Sequence, residues 1–341
     1  MFHDLTVLSV YPEGDSAVAV TFEVPEALHD SFAFAPGQYL TLRATVDGQD
    51  LRRSYSIASA PGRGLTVGIK HVVDGVFSTW AQGLRAGDVV QVMPPEGRFV
   101  LRGEQSIVLI AAGSGITPMV SIASDALAQG AQVALIYGNR STDSIMFRTQ
   151  LDDLKDRYTE RFTLIHVLSR EPQDVDLLNG RIDGAKVMAL GRAGAVDLAG
   201  ADGVFLCGPG AMIDDVAGAL EGVVPADRVH FERFYTEDDG PRPARSAAAE
   251  AAAEAGAAIE VVLDGTRRMF RLAAGDDNVV DAAARAGLEL PYSCKGGMCC
   301  TCRCKVVEGA AEMAVNYSLE PWEMEAGFTR ACQARPVTDK L

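Results

Sequence analysis

The chain has 341 residues, 48% hydrophobic and 23% charged, which is the balance of a soluble globular protein with room for two or three domains. Its net charge of −15 argues against nucleic acid as a partner, because phosphate binding requires a basic surface. The first ten residues, MFHDLTVLSV, have neither a basic stretch nor a long apolar core. We therefore expect no secretory signal and predict a cytoplasmic protein.

Residues 1–103 contain short apolar runs separated by Gly, Pro and Asp, including TVLSV, SAVAVTFEV, QYLTLRATV and LTVGIKHVV. This pattern predicts an antiparallel sheet or barrel. The segment RSYS (53–56) offers a cation for a diphosphate, a ring for packing and a hydroxyl for a ring nitrogen. Alone it is a weak signal, and a surface arginine beside a half-buried tyrosine is the simpler interpretation. GVFS (75–78) supports the ligand-binding interpretation of RSYS, because it begins a predicted helix whose free N–H groups favour phosphate.

Residues 104–236 show a different pattern, in which apolar runs such as SIVLIAA, QVALIYG, FTLIHVLS and GVFLCG alternate with helix-like stretches. This alternation predicts a parallel α/β sheet. The uncharged segment 105–124 is long enough to suggest a membrane span. Because Gly, Ser, Thr and Pro interrupt it, we predict a buried strand that turns into a helix, and no membrane contact.

Two strand ends in this region predict a nucleotide site. AGSGITP (112–118) lies between a strand and a helix, where glycines let the backbone approach a ligand and the helix N-terminus favours phosphates. Pro118 replaces the third glycine of the common fingerprint. LCGPG (206–210) also runs into a helix, and its Cys207 is either functional or an inert buried thiol. Arg140 and Ser141 follow the second strand with no acid before Asp143, which favours NADPH over NADH.

The stretch 237–257 has no bulky apolar side chain and is rich in alanine, so we predict a partly helical linker on which the last domain moves. In residues 258–341 a hairpin and a short helix are expected before a cysteine-rich loop. Cys294, Cys299, Cys302 and Cys332 have the spacing C-x4-C-x2-C…C of a 2Fe–2S cluster. A zinc site is the alternative, but such sites usually pair two C-x2-C units and only one is present. Cys300 and Cys304 do not fit the spacing.

Two resemblances support these predictions. RSYS, GVFS and GSGITP resemble the ferredoxin–NADP reductase superfamily, and PYSCKGGMCCTCRCKVVEG with RACQARP resembles a plant-type ferredoxin domain. They imply a flavin β-barrel, a parallel α/β nucleotide domain and a C-terminal β-grasp ferredoxin domain. Phe234 is expected either against the flavin or in the core, and FAD is favoured over FMN. By resemblance, Arg53 binds the pyrophosphate, Tyr55 and Ser56 contact the flavin, Ser78 binds its phosphate, and Cys207 lies beside the nicotinamide.

The candidates are therefore Arg53, Ser54, Tyr55, Ser56, Gly75 and Ser78 for the flavin; Gly113, Gly115, Thr117, Pro118, Arg140, Ser141, Cys207, Gly208 and Phe234 for the nucleotide and the rings; and Ser56 and Cys207 as catalytic residues.

The order of the three domains resembles reductase components of multicomponent oxygenases. LRRSYSIAS, AAGSGITPM, IYGNR, MFR, GRIDG, HFERF, CKGGMCCTC and NYSLEP are most similar to the reductase subunits of phenylacetyl-CoA epoxidase systems. That resemblance implies electron flow from NADPH through FAD and a 2Fe–2S cluster to a multisubunit diiron oxygenase, in aerobic phenylacetate degradation. A reductase for another aromatic-ring or steroid oxygenase, and a redox carrier or sensor without steady turnover, are the alternatives.

Overall fold

The computed structural model describes residues 1–234, 243–319 and 321–341. The chain divides into two compact units, residues 1–236 and 237–341. The first contains both the antiparallel and the parallel sheet, and the second contains the cysteine-rich loop. Within the described ranges, no helix has both the length and the apolar character that crossing a bilayer requires.

The first part of unit 1 is a six-stranded antiparallel sheet in the order β4-β3-β6-β1-β2-β5. A bridge between Ile57 and Val67 joins its two edges, so the sheet closes into the predicted barrel. Apolar side chains such as Leu5, Val20 and Leu40 fill its interior. The elements are β1 (His3–Glu13), β2 (Ala17–Glu23), β3 (Tyr39–Val46), β4 (Gln49–Ser56), β5 (Leu65–Lys70), α1 (Val76–Ala81) and β6 (Val89–Val92).

The second part of unit 1 is a five-stranded parallel sheet in the order β11-β10-β7-β8-β9. The uncharged segment forms β7 and α2, as predicted. The elements are β7 (Ser106–Ala112), α2 (Ile116–Ala128), β8 (Gln132–Asn139), α3 (Arg148–Arg157), β9 (Phe162–Leu168), α4 (Gly184–Arg192), β10 (Gly203–Gly208), α5 (Gly210–Leu220) and β11 (Val229–Arg233).

The strand order reverses at β7, because the chain proceeds from β7 to β8 and β9 on one side and then returns to β10 and β11 on the other. Open parallel sheets bind ligands beyond the carboxyl ends of the strands at such a switch point. One core cluster, with α2 and α3, covers one face of the sheet, and another, with α4 and α5, covers the other. The fold therefore predicts a ligand site between the ends of β7 and β10.

The barrel and the parallel sheet of unit 1 pack closely against each other. Ala17 and Ala19 of the barrel belong to the core cluster of α2. The buried Ser121 hydroxyl donates to the Ser59 carbonyl at 2.7 Å. A Cβ at Gly68 would lie 2.6 Å from the Thr117 side chain, so only glycine allows this approach.

Unit 2 contains the predicted hairpin, short helix and cysteine loop, with three small antiparallel strand pairs. Residues 339–341 also bond to β12, where the Leu341 N–H donates to the Ala258 carbonyl at 2.9 Å. The elements are α6 (Ala247–Ala255), β12 (Ala258–Leu263), β13 (Thr266–Arg271), α7 (Val279–Arg285), β14 (Arg303–Lys305), β15 (Ala311–Met313), α8 (Pro321–Glu325), β16 (Phe328–Arg330) and β17 (Ala334–Pro336).

The alanine-rich stretch corrects one expectation. Residues 237–242 of the predicted linker lie outside the described residues, and Ala247–Ala255 is helical as expected. However, Ala252 and Ala253 of α6 are buried in the same core cluster as Ile259 and Cys302. Small side chains allow a helix to lie close to its neighbours, so the absence of bulky residues did not prevent packing. The described helix is therefore part of unit 2, and not a loose connection.

Candidate functional site

The flavin candidates lie at the end of β4. Arg53 is exposed, and its Nη1 donates to the Arg52 carbonyl at 2.7 Å. Tyr55 packs with its ring centroid 5.9 Å from that of Phe77. Burial raises the pKa of Tyr55, so its hydroxyl remains a hydrogen-bond donor. A cation, an aromatic face and a phenol donor are suitable groups for a flavin and its diphosphate.

Gly75 and Ser78, the two flavin candidates of the GVFS segment, hold the loop before α1. The Ser78 hydroxyl accepts from the Val72 N–H at 3.1 Å and donates to the Gly75 carbonyl at 2.9 Å. A Cβ at Gly75 would lie 2.6 Å from the Ser78 oxygen, so the loop needs glycine there. As the N-cap, Gly75 has no side chain to cap the first-turn N–H groups, which suits a phosphate. Direct contact between Ser78 and a phosphate remains a prediction.

The nucleotide candidates meet at the predicted switch point. A Cβ at Gly115 would lie only 2.1 Å from the Cys207 carbonyl oxygen, so the turn after β7 contacts the end of β10. The Thr117 hydroxyl donates to the Ser114 carbonyl at 2.9 Å and holds this turn. Pro118 is in the first turn of α2, where the missing N–H costs no hydrogen bond. The turn thus has the close backbone approach that a dinucleotide site requires.

Two cations lie near this turn. Gly113 has a positive φ of 54°, and a Cβ there would lie 3.5 Å from the Lys70 amine. Burial lowers the pKa of Lys70, and the positive charge of Arg140 lowers it further. Ser141 donates its backbone N–H to the Ser144 hydroxyl at 3.1 Å, and this bond shapes the loop that carries Arg140. Nothing in the sequence singled out Lys70, because a lysine that ends a strand is common on any surface.

Ser56 and Cys207, the two candidates for the reacting rings, are linked by a third residue. The Ser56 hydroxyl donates to the Glu232 carboxylate at 3.1 Å. Glu232 lies opposite Cys207 in the register of β10 and β11. Burial raises the pKa of the Cys207 thiol well above its usual range, and the charge of Glu232 raises it further. HFERF gave no signal for Glu232, because its partner Ser56 is 176 positions away in the chain.

Phe234 and Gly208 are also adjacent. The Phe234 N–H bonds to the Gly208 carbonyl at 3.4 Å, and its partly buried ring packs against the core cluster of α2. Gly208 has a φ of 156°, and a Cβ there would lie 2.9 Å from the Met212 side chain. The structure therefore brings Ser56, Cys207, Gly208, Glu232 and Phe234 into one connected group of contacts.

The four predicted cluster ligands form two pairs. The Cys294 and Cys299 thiols lie close enough to shift each other's pKa, and so do those of Cys302 and Cys332. The neighbouring Cys299 thiol lowers the pKa of Cys294, and the neighbouring Cys302 thiol lowers that of Cys332. In the described parts of the chain, no three His, Cys, Asp or Glu side chains surround one metal position. A paired arrangement suits two irons with two thiolates each better than a single tetrahedral zinc ion.

The backbone of the loop supports this arrangement. The N–H groups of Gly296 and Cys299 point at the Cys294 sulfur, at 3.3 and 3.4 Å. The Gln333 side chain donates to the Cys332 sulfur at 3.4 Å and to the Lys295 carbonyl at 2.7 Å. Donors aimed at the sulfurs stabilise thiolates, which are the form that ligates iron. The residues present therefore fit a 2Fe–2S cluster.

The two remaining cysteines of the loop have other surroundings. The Cys300 sulfur lies 3.7 Å from the Ser318 hydroxyl, and Cys304 is exposed. Neither is part of the two pairs described above.

Family models match all three parts of the chain. They are the FAD-binding domain of oxidoreductases at residues 9–101, the oxidoreductase NAD-binding domain at 109–218, and the 2Fe–2S iron–sulfur cluster binding domain at 261–337. Together with the switch point and the paired thiols, they define an oxidoreductase whose cofactors are FAD, NAD(P)H and a 2Fe–2S cluster.

Curated relatives cover nearly the whole chain. One of the subunits of 1,2-phenylacetyl-CoA epoxidase from Escherichia coli is 44% identical over 100% of this chain and 96% of its own length. The ferredoxin reductase component of 3-ketosteroid-9-alpha-monooxygenase from Rhodococcus rhodochrous is 37% identical over 99% of this chain and 95% of its own. The chain belongs to the family of flavin- and iron–sulfur-containing reductase components of oxygenase systems.

Solved structures share the fold. Phthalate dioxygenase reductase has a TM-score of 0.61 and 22% identity, over 99% of this chain and 96% of its own. An intact type IV self-sufficient cytochrome P450 monooxygenase has a TM-score of 0.70 and 22% identity, over 100% of this chain and 40% of its own. The architecture that the sequence predicted, a barrel, a parallel α/β sheet and a C-terminal ferredoxin domain, is confirmed.

Proposed function

We propose that this reductase supplies electrons from NADPH to a multisubunit diiron oxygenase that epoxidises phenylacetyl-CoA in phenylacetate degradation. The observation that carries the proposal is the 44% identity, over the full chain, to a component of the Escherichia coli epoxidase. The family-wide cofactor loops alone do not distinguish between oxygenases. The higher identity over the whole chain favours this partner over the steroid system, whose reductase component is 37% identical.

Each cofactor has a proposed set of residues. The flavin is held by the end of β4 and the loop before α1, with Arg53 at the pyrophosphate and Tyr55 beside the ring. The nucleotide is held by the turns after β7 and β10, where Gly115 and Cys207 meet. The cluster is held by the two thiol pairs. In the proposed domain division, the barrel spans 1–103, the nucleotide domain 104–236 and the ferredoxin domain 258–341.

Bound together, the cofactors convert one hydride, which carries two electrons, into single electrons for the partner. The chain's own contribution is to bind, orient and control charge. Glu232 accepts the hydrogen bond of Ser56 and thereby fixes its hydroxyl at the barrel edge. The fully buried Cys207 thiol remains protonated, because burial and the nearby carboxylate both oppose its ionisation. No general acid–base pair is needed for this reaction.

The preference for NADPH is part of the proposal. Lys70 and Arg140 place two positive charges near the turn after β7. An additional phosphate on the ribose is stabilised by such cations, whereas a ribose diol is usually bound by an acid at this position. Arg140 is exposed and can contact a ligand at the end of β8. We place the protein in the cytoplasm, because six of its seven cysteines lie after residue 290 in a pattern that fits redox chemistry and not a disulfide scaffold.

Reconstitution tests the proposal. The purified chain would be combined with NADPH and the oxygenase component of a phenylacetyl-CoA epoxidase, and in parallel with that of a 3-ketosteroid monooxygenase. We expect epoxide formation in the first mixture at a rate at least about tenfold above hydroxylation in the second. The reverse ratio would assign the chain to the steroid system. Sustained cytochrome c reduction in the absence of any oxygenase distinguishes a reductase from a carrier, which would show no turnover.

A further inference from the structure

Arg330 is fully buried in the middle of the ferredoxin unit. Its relative exposure is 0%, and it comes first by volume among the fully buried side chains of the described residues. It lies on β16, directly opposite Arg303 of β14. Arginine is almost never completely buried unless a partner offsets its charge. A negative charge is therefore expected close to this position.

The guanidinium group of Arg330 contacts the cysteine loop. Its Nη1 donates to the Cys299 carbonyl at 2.8 Å, and its Nη2 lies 4.0 Å from the Cys300 sulfur. Its Nε is buried and has no hydrogen-bond partner within the described part of the chain. Both contacted residues lie in the short stretch that carries the second and third proposed cluster ligands, so the cation lies directly behind the cluster loop.

Arg330 has no carboxylate partner at ion-pair distance among the described residues. Across residues 1–234, 243–319 and 321–341, no carboxylate oxygen lies within 4.0 Å of its nitrogens, whereas the neighbouring Arg303 pairs with the buried Glu323 at 2.7 Å. A buried cation without a compensating charge is strongly destabilising. Four thiolates and two sulfides around two ferric ions carry two net negative charges, and reduction adds a third. The chemistry of the donor set therefore provides the missing counter-charge.

We propose that Arg330 is the internal counter-charge of the 2Fe–2S cluster and that it raises the reduction potential of that cluster. A fixed positive charge stabilises the reduced cluster more than the oxidised one, because the reduced cluster is more negative. Arg330 acts through charge and through the Cys299 carbonyl, so it is a positioning residue and touches no substrate. The inference rests on the four proposed ligands, and it adds a determinant of potential that the ligands do not contain.

Three variants of the full-length protein separate charge from shape. Arg330→Met and Arg330→Gln both remove the charge, and the second retains a donor for the Cys299 carbonyl. Arg330→Lys keeps the charge without the guanidinium shape. A matched control is Arg335→Met, since Arg335 is also buried but donates to the Pro243 carbonyl at 3.0 Å. Iron and sulfide content would be measured first, and then the midpoint potential by a dye-mediated titration monitored by electron paramagnetic resonance.

We expect Arg330→Met and Arg330→Gln to lower the reduction equilibrium constant of the cluster at least about tenfold, a shift of about 59 mV for one electron. Arg330→Lys and Arg335→Met are expected to shift the midpoint potential by less than half as much. An unchanged potential in both neutral variants would overturn the proposal. So would a shift in Arg330→Lys or Arg335→Met as large as that of the neutral variants, because shape or general packing would then be responsible.

Loss of the cluster is also decisive. If both neutral variants lose iron while Arg330→Lys retains it, the need for a positive charge is supported. If all three variants lose iron, the guanidinium is structural and the proposal fails. The wild-type protein separates the role of Arg330 from the ligand assignment on which it rests. A wild type without a 2Fe–2S signal refutes the proposed ligands. A normal wild type whose Arg330 variants have an unchanged potential refutes only the role of Arg330.

Discussion

The cluster loop and the site around Glu232 are assembled in opposite ways. Cys294, Cys299 and Cys302 lie in one short loop, and N–H groups of that loop point at the Cys294 sulfur. Ser56 and Glu232, in contrast, are separated by 176 positions and meet only because the barrel packs on the parallel sheet. A site with three of its four proposed ligands in one loop depends mostly on local geometry, whereas a site made from two sheets depends on the whole of unit 1.

The largest expected effect tests the local site. Cys299→Ala should abolish the cluster, because the remaining thiol of its pair cannot hold an iron alone. Iron and sulfide analysis would then show no stoichiometric 2Fe–2S content, while NADPH still reduces the flavin in unit 1. Cys304→Ala, at an exposed cysteine of the same segment, is the control and should retain full iron content. Iron loss in the control alone would contradict the ligand assignment.

The second effect concerns stability and tests whether α6 belongs to unit 2. Ala252 is buried and its neighbour Ala251 is exposed. Ala252→Asp should lower the free energy of unfolding by at least about 2 kcal/mol, because a carboxylate would be forced into an apolar cluster. Ala251→Asp should change it by no more than about 0.5 kcal/mol. Denaturant unfolding measures the free energy of unfolding of both variants. Equal losses in the two variants would show that α6 is a loose linker and does not pack in unit 2.

The third effect concerns the nucleotide. Arg140→Glu should raise the Michaelis constant for NADPH at least about tenfold and change that for NADH much less, because a charge-assisted hydrogen bond to phosphate is lost. Steady-state reduction of cytochrome c with each nucleotide measures both constants. Arg157→Glu, at an exposed arginine that ends α3, is the control for net charge. Equal increases for the two nucleotides would refute the preference for NADPH.

The smallest expected effect tests the long-range site. Glu232→Gln should slow flavin reduction by NADPH about tenfold, because the carboxylate that accepts from Ser56 loses its charge. In a double-mutant cycle with Ser56→Ala, the double variant should be no slower than the slower single variant. Rapid-mixing absorbance at the flavin band measures each rate. Fully additive losses would show that the two residues act independently.

The contrast between the two sites also explains what the sequence could predict. The four cluster ligands could be proposed from spacing alone, because three of them are near each other in the chain. The strand-to-helix turn with Pro118 was equally readable, because it is one local motif at the end of a strand. Lys70 and Glu232 were missed, because their neighbours Gly113 and Ser56 come from distant strands. No local pattern records which strands will be neighbours.

The burial of individual side chains could not be predicted from the sequence, for a different reason. The alanines of α6 were correctly predicted as helical, but their burial was not, because burial depends on the neighbours as much as on the side chain itself. Arg330 is the reverse case, since a charged residue in RACQARP suggests a surface position and the structure buries it completely. In both cases hydrophobicity alone indicated the wrong environment.

The central claim is that flavin connects the nucleotide to the cluster. The direct test is anaerobic addition of NADPH to protein that retains its cluster but has been stripped of FAD, with the reduced cluster followed by electron paramagnetic resonance. We expect no cluster reduction until FAD is restored, and full reduction afterwards. Cluster reduction at the same rate with and without FAD would contradict the account.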